Sequence, residues 1–452
     1  MERKPMSLLT WGPVRTLRKT VIEVRRFPRR IRRIRYLAMH PAPASARGQV
    51  QRRILLGHLA RAANRRLRTN SEPTSVDISS LLLGDAPDVS MPNYAWMIDD
   101  LRYSSTPVER WPHTELLRDH DRDGDLVFEP ERFAASAYAR HCQRFIDLVG
   151  EFQGASDSAG LIDVARDFVA RAGGALTPPR RHQSGETEVL VRKVKWSNTY
   201  QVVDGHHRVA LAHFRGEKTI DVRPARRDTI TALQEHLLAM SWTEGILQRY
   251  QPVDAPELDA WPIVRRCDDR FAMMQRFLTE RGLLGAAPGS YLDVAACYGW
   301  FVQAFDELGF DAHGNEIDAL SKWLARDLYG VPEANWHVGE VTKYLRELDQ
   351  PFTVVSCLSL LHNYILGGGP DSPEGLMRLL DAATAKVLFF DTGEAHEFWF
   401  RRTLQKWTPA YTEQWLRDHT TFDEVIALGT DEDSVPPFAD NFGRTLFALV
   451  RK

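Results

Sequence analysis

Several things are scarce in this chain of 452 residues, and each scarcity excludes a class of protein. It has four cysteines, Cys142, Cys267, Cys297 and Cys357, without paired spacing, so neither a disulfide framework nor a structural zinc site is expected. No run of about 18 apolar residues occurs, which excludes a spanning helix of the usual kind. No stretch reads as a secretory signal, and no internal repeat is visible. Gly-x-Gly-x-x-Gly is absent, which argues against a dinucleotide dehydrogenase. These features suit a reducing cytoplasm and two or three domains with ample core.

Acidic residues are almost missing from one region. Residues 1–70 hold 19 Lys and Arg against Glu2 and Glu23, a charge of +17, so in a chain of net −2 the remainder carries −19. Val14, Leu17, Val21 and Val24 recur at helical spacing among arginines, and Pro28 interrupts the run. This is the pattern of a basic amphipathic arm. An anionic membrane surface, such as the inner face of a cytoplasmic membrane, is the favoured partner. Nucleic acid, a solvated tail and an organelle transit segment stay open as alternatives.

The most informative stretch is Tyr291-Leu-Asp-Val-Ala-Ala-Cys-Tyr-Gly-Trp300, followed by His313-Gly-Asn-Glu-Ile-Asp318. An apolar strand runs into a turn ending in Gly299, an amphipathic segment follows (Phe301, Phe305, Leu308), and a second strand ends in Glu316. Such a turn lets backbone N–H groups approach a ligand, and the acidic residue can grip two ribose hydroxyls. Further along, Asn335–Glu340 reads as a third strand and Phe352–Asn363 as a fourth, buried on both faces. Lys386–Thr392 reads as a fifth strand, and Phe422–Leu428 with Arg444–Val450 as a closing antiparallel pair.

These motifs, in this order over residues 255–452, resemble class I S-adenosylmethionine-dependent methyltransferases. The resemblance implies a doubly wound, seven-stranded α/β sheet with S-adenosylmethionine at its carboxyl edge. It implies Asp293, Ala295, Gly299, Glu316, Glu340 and Ser359 as cofactor-binding residues, with Glu340 at the adenine. Ala295 departs from the family's glycine at that place. His362, in Ser359-Leu-Leu-His362, is the candidate general base, because an unperturbed imidazole titrates near neutrality. Asp391–Glu394, His396 and Glu397 add polar groups at the next strand end. No metal site is read there, since adjacent residues diverge on a regular element.

An earlier signature is Thr199–Gly216, containing Asp204-Gly-His-His-Arg208. Val189–Val194 and Tyr200–Val203 alternate around a polar turn and form a hairpin; Gly205 breaks the strand, and a helix starts at His206. A helix N-terminus carrying His206, His207 and Arg208 is an anion site in waiting. The segment resembles the ParB/sulfiredoxin-like fold, which implies a smaller α+β domain binding a nucleotide phosphate through Asp204, Gly205, His206, His207 and Arg208. ATP or CTP with Mg is the implied ligand. Similarity to members that phosphorylate small alcohols extends the implication to a kinase.

The expected organisation is therefore a basic arm (1–70), a ParB/sulfiredoxin-like domain (71–250) and a methyltransferase domain (251–452). The DNA-methylating motifs Asn/Asp-Pro-Pro-Tyr/Phe and Pro-Cys are absent after the fourth strand, where Leu361-His-Asn-Tyr364 stands. The expected reaction is O-methylation of a hydroxyl or phosphate on a small molecule or glycan. The competing readings are a non-catalytic nucleotide-sensing protein with a degenerate methyltransferase fold, and an RNA methyltransferase.

Overall fold

The computed structural model describes residues 72–84, 100–172, 189–240, 246–285, 289–432 and 443–452. The basic arm lies outside them. Two compact units emerge, one ending at His236 with residues 255–260 added, the other comprising 237–254 and 261–452.

The first unit is built on a five-stranded sheet ordered β1-β5-β3-β4-β2, from β1 (Thr74–Asp77), β2 (Leu81–Leu82), β3 (Val189–Lys193), β4 (Tyr200–Asp204) and β5 (Thr219–Pro224). β3 and β4 are the expected antiparallel hairpin, and Trp196 in its turn has a left-handed φ of 59°. Two helices follow one another closely, Pro130–Ala135 and α1 (Ala137–Val149). Ser136 separates them and caps the second by accepting from the Ala139 N–H. With the helices at Pro112–Asp123, Ser158–Ala170 and α2 (His206–Phe214), they cover an apolar core that includes Trp111, Phe133, Phe168, Val191 and Val209.

The second unit holds a seven-stranded sheet ordered β11-β12-β10-β9-β6-β7-β8, consistent with a methyltransferase fold. Its strands are β6 (Ser290–Val294), β7 (Asp311–Glu316), β8 (Trp336–Val338), β9 (Phe352–Cys357), β10 (Thr384–Phe390), β11 (Glu424–Thr430) and β12 (Thr445–Val450). β11 and β12 pair antiparallel as expected, and β12 also runs against β10. Both faces are buried: Leu292, Val355, Leu388 and Phe447 enter one core, and Tyr291, Val354, Phe389 and Ala448 the other. This two-sided burial explains why these strands read as continuous apolar runs. Two expected strands are shorter than read. β8 stops at Val338, and β9 stops at Cys357, after which α3 (Leu361–Ile365) carries His362.

Candidate functional site

Beyond β6 the chain adopts left-handed backbone at alternate residues, with φ of 60° at Ala295, 57° at Cys297 and 101° at Gly299. Only glycine takes such angles without steric cost, so the alanine and cysteine are held there by their surroundings. The turn brings the Cys297 N–H to 2.9 Å from Oε2 of Glu316, while the Asp318 N–H donates to Oε1 at 3.0 Å. Gln251, which the sequence reading did not single out, accepts from the Tyr298 N–H at 2.9 Å and steadies the other side. Burial pushes the Glu316 carboxyl up to about 8, against the pull of these N–H groups. Ile317 and Val338, 62% and 44% exposed, flank Glu316 at the carboxyl edge of the sheet.

Asp293 lies deeper. Ser356 donates to it at 2.5 Å and pairs with the Tyr291 hydroxyl at 2.6 Å. Burial raises its carboxyl to about 7, with Ser356 and Arg270 opposing.

Glu340 caps the helix Val341–Arg346. Its Oε2 accepts from the Lys343 N–H at 2.9 Å and the Thr342 hydroxyl at 2.7 Å, and its Oε1 accepts from the Tyr364 hydroxyl at 2.8 Å. Burial alone would raise this carboxyl, but the hydrogen bonds outweigh it and hold it below the ordinary range. Glu340 is thus committed to a cap rather than standing as the free strand-end acid expected from the sequence.

His362 also differs from expectation. Its Nδ1 accepts from the Gly393 N–H at 3.3 Å, so in the neutral ring the proton sits on Nε2 and the remaining nitrogen is a donor. Burial, with the Arg444 and Arg265 cations, drives its pKa down to about 3. Both features oppose proton abstraction and suit a neutral hydrogen-bond donor.

Around Ser359, itself at φ 59°, the tertiary fold assembles an ionic network that the sequence did not reveal. The Ser359 N–H donates to Asp391 Oδ1 at 2.7 Å, and Arg444 Nη1 donates to the Ser359 hydroxyl at 2.7 Å. Arg444 forks onto Glu397 at 2.8 and 2.9 Å. Arg270 pairs with Asp391 at 3.0 Å, and Arg265 with Asp431 at 3.1 Å. Burial would raise Asp391, but Arg270, Arg444 and Arg265 outweigh it and hold it below the usual carboxylate range. These partners lie between 32 and 166 residues apart, beyond any local signal.

In the first unit Gly205 takes φ 101° and caps α2. A Cβ there would lie 2.9 Å from Arg208 Nη2, which folds back toward Asp204 at 3.7 Å. His206 and His207 turn inward instead. His206 Nε2 meets the Leu83 carbonyl at 2.7 Å, and His207 meets the Tyr138 hydroxyl at 2.7 Å and Gln153 at 3.1 Å. They join His113 and His141, whose rings stand 5.0 Å apart, and His113 is 4.8 Å from His207 and 5.6 Å from His206. Burial lowers the pKa of His113, His141 and His206. Among the described residues no group of three or more His, Cys, Asp or Glu is arranged to hold a metal. Gly205 and Arg208 at the start of α2 thus stand apart from the two inward-turned histidines.

No family model and no curated protein matches this chain. Solved structures do. The bifunctional kinase-methyltransferase WbdD is similar at 18% identity and a TM-score of 0.36, over 45% of this chain and 44% of that one. The chain thus spans less than half of that protein's length. A magnesium protoporphyrin IX methyltransferase, ChlM from Synechocystis PCC 6803 with bound SAM, is similar at 15% identity and 0.30, over 40% of this chain and 78% of that one. A SAM-dependent methyltransferase from Archaeoglobus fulgidus is similar at 14% and 0.29, over 41% and 97%.

Proposed function

We propose that the second unit is an S-adenosylmethionine-dependent O-methyltransferase acting on a small-molecule or glycan acceptor. The observation that carries this reading is the hydrogen bond between Glu316 and the left-handed turn at Cys297, at the carboxyl edge of the seven-stranded sheet. When bound, the cofactor supplies an electrophilic methyl group on a sulfonium. Glu316 has lone pairs left for two ribose hydroxyls, and the exposed Ile317 and Val338 offer apolar walls for a planar base. Asp293, backed by Ser356 and Tyr291, closes the bottom of the turn.

His362 favours one acceptor type. A hydroxyl needs a base, and an imidazole with a pKa near 3 and its lone pair engaged does not provide one. A phosphate oxygen is already ionised at neutral pH, and its alignment is the enzyme's main task. Phosphate O-methylation is therefore preferred, with His362 as a donor to the acceptor.

For the first unit the reading is a ParB/sulfiredoxin-like phosphate site at Gly205 and Arg208, taking ATP or CTP. It is supported by Gly205, whose left-handed φ of 101° starts α2 and lets the Arg208 guanidinium lie close against the turn. Asp204 is the acidic residue beside it for Mg. A basic arm drawn to an anionic membrane at its cytoplasmic face completes the reading.

Calorimetric titration with S-adenosylmethionine and S-adenosylhomocysteine tests the main proposal. Micromolar binding that disappears in Glu316→Ala is expected. A folded protein that binds neither would leave the degenerate, nucleotide-sensing alternative standing.

A further inference from the structure

Four imidazoles meet in the first unit. His113, from the helix Pro112–Asp123, is stacked on His206 at 5.6 Å with the two rings 15° apart. It meets His207 edge-on at 4.8 Å and His141 of α1 at 5.0 Å. His113 and His141 are 1% and 3% exposed, and Nδ1 of His113 is buried without a hydrogen-bond partner among the described residues. Rings in this arrangement fit together only while uncharged. Two imidazolium ions so close repel, and little water reaches them to screen the repulsion. The helix start adds to this, because its free N–H groups disfavour a cation at His206 and His207.

The groups that face the layer offer little counter-charge. Burial lowers His206 against the pull of the Leu83 carbonyl and Asp204, with Arg208 on the side of burial. Burial likewise lowers His113, together with the other three imidazoles, and His141, together with His206, Arg144 and His207. Arg144 also lies 4.4 Å over the ring of Tyr103, whose hydroxyl meets His141 Nδ1. From α1, Tyr138 bonds His207 at 2.7 Å beside Cys142, and burial keeps both uncharged, with Arg171 beyond them. The helix Ser158–Ala170 presents an apolar ring, Phe168, 4.4 Å from His207.

Two of the four rings belong to the turn Asp204–Arg208. His113 and His141 are buried, whereas Gly205, His206, His207 and Arg208 are half-buried and Asp204 is exposed. His206 ties the turn to the Leu83 carbonyl, and His207 ties it to Tyr138 and Gln153. When the layer takes up a proton, the turn is therefore the part that can carry a charged ring to water with the least loss of packing.

We propose that this histidine layer is a pH-sensitive latch on the turn Asp204–Arg208: uncharged, it holds the start of α2 in place, and protonation in mild acid releases it. The turn is the one proposed above to take a phosphate, so release would let go of an anion held there; the latch acts on the turn whatever it holds.

Hydrogen exchange of the full chain from pH 7.5 to 5.5, corrected for the intrinsic pH dependence of exchange, tests this. The first turn of α2 is reported by Val209, whose N–H donates to the Gly205 carbonyl at 3.0 Å. Its protection should fall about tenfold per pH unit below 6.5 for each proton taken up. At pH 5.5 it should lie at least tenfold below that of the helix Ser158–Ala170. His113→Phe keeps a buried ring, removes one titrating group and should flatten the fall by about tenfold per pH unit. Should this variant fail to fold, NMR titration of labelled imidazoles in the unaltered chain takes its place. Rings of the layer that titrate together with the loss of protection support the latch, and rings that titrate at a different pH overturn it. Unchanged protection at Val209 overturns it as well, as does an unaltered slope in folded His113→Phe. Equal protection of α2 and the helix Ser158–Ala170 at pH 5.5 overturns it in favour of unfolding of the whole unit.

Discussion

Glu316 and Cys297, nineteen positions apart, are joined by a 2.9 Å hydrogen bond from backbone N–H to carboxylate. The bond links the end of β7 to the turn after β6, so the residue expected to hold the cofactor also shapes the loop around it. Replacing Glu316 by Gln keeps the volume but swaps one acceptor oxygen for a donor. We expect cofactor affinity to fall at least tenfold, with unchanged far-ultraviolet circular dichroism, as read by calorimetry.

The same carboxyl makes binding pH-dependent. Burial raises it to about 8, so at pH 7 it is largely protonated, and gripping two hydroxyls needs the ionised form. Cofactor affinity should therefore increase from pH 6.5 to 9, and this dependence should flatten in Glu316→Gln. For stability the sign is opposite. A carboxyl raised in the fold contributes stability that is complete below its unfolded pKa and lost as pH rises through the folded value, about 7 for Asp293 and about 8 for Glu316.

Ala295 occupies left-handed backbone at φ 60°. Glycine removes the Cβ clash there, so Ala295→Gly should stabilise the second unit by about 1 kcal/mol, read as a raised denaturation midpoint. A lower midpoint would mean that the alanine methyl group packs more favourably than the backbone is strained.

Arg444 bridges Glu397, Ser359 and Asp391 with almost no solvent contact. Arg444→Met leaves two buried carboxylates short of a counter-charge and should cost about 3–5 kcal/mol in chemical denaturation. Where the variant still folds, the imidazole of His362 should titrate at higher pH by NMR, because one of the cations that depress it is gone.

The imidazoles of His113, His141 and His206 are buried in a shared layer and held below the ordinary value of about 6.5. Their contribution is present above that pH and lost as pH falls toward the folded values. Each such histidine should steepen acid destabilisation by about 1.4 kcal/mol per pH unit below 6.5. His113→Phe should remove one such increment from the slope of stability against pH between 5 and 6.5.

Local pattern was enough for several features. The hairpin Val189–Val203, the helix beginning at His206, the turn at Gly299 and the strands through Leu292, Val355 and Leu388 are each specified within a few residues by alternation, apolar runs and glycine punctuation. The sequence by itself also determined which residues end the β6 and β7 strands, and so placed Asp293 and Glu316. It did not determine their chemistry. That depends on burial and on partners distant along the chain, as Ser356 does for Asp293 and Arg444 does for His362. Glu340 became a cap because β8 stops two residues early, and His362 a donor because a loop thirty-one residues later turns an N–H onto it. The inward histidine layer was decided by tertiary structure alone. Its members have no common period, and only packing chooses which side of a helix start meets water.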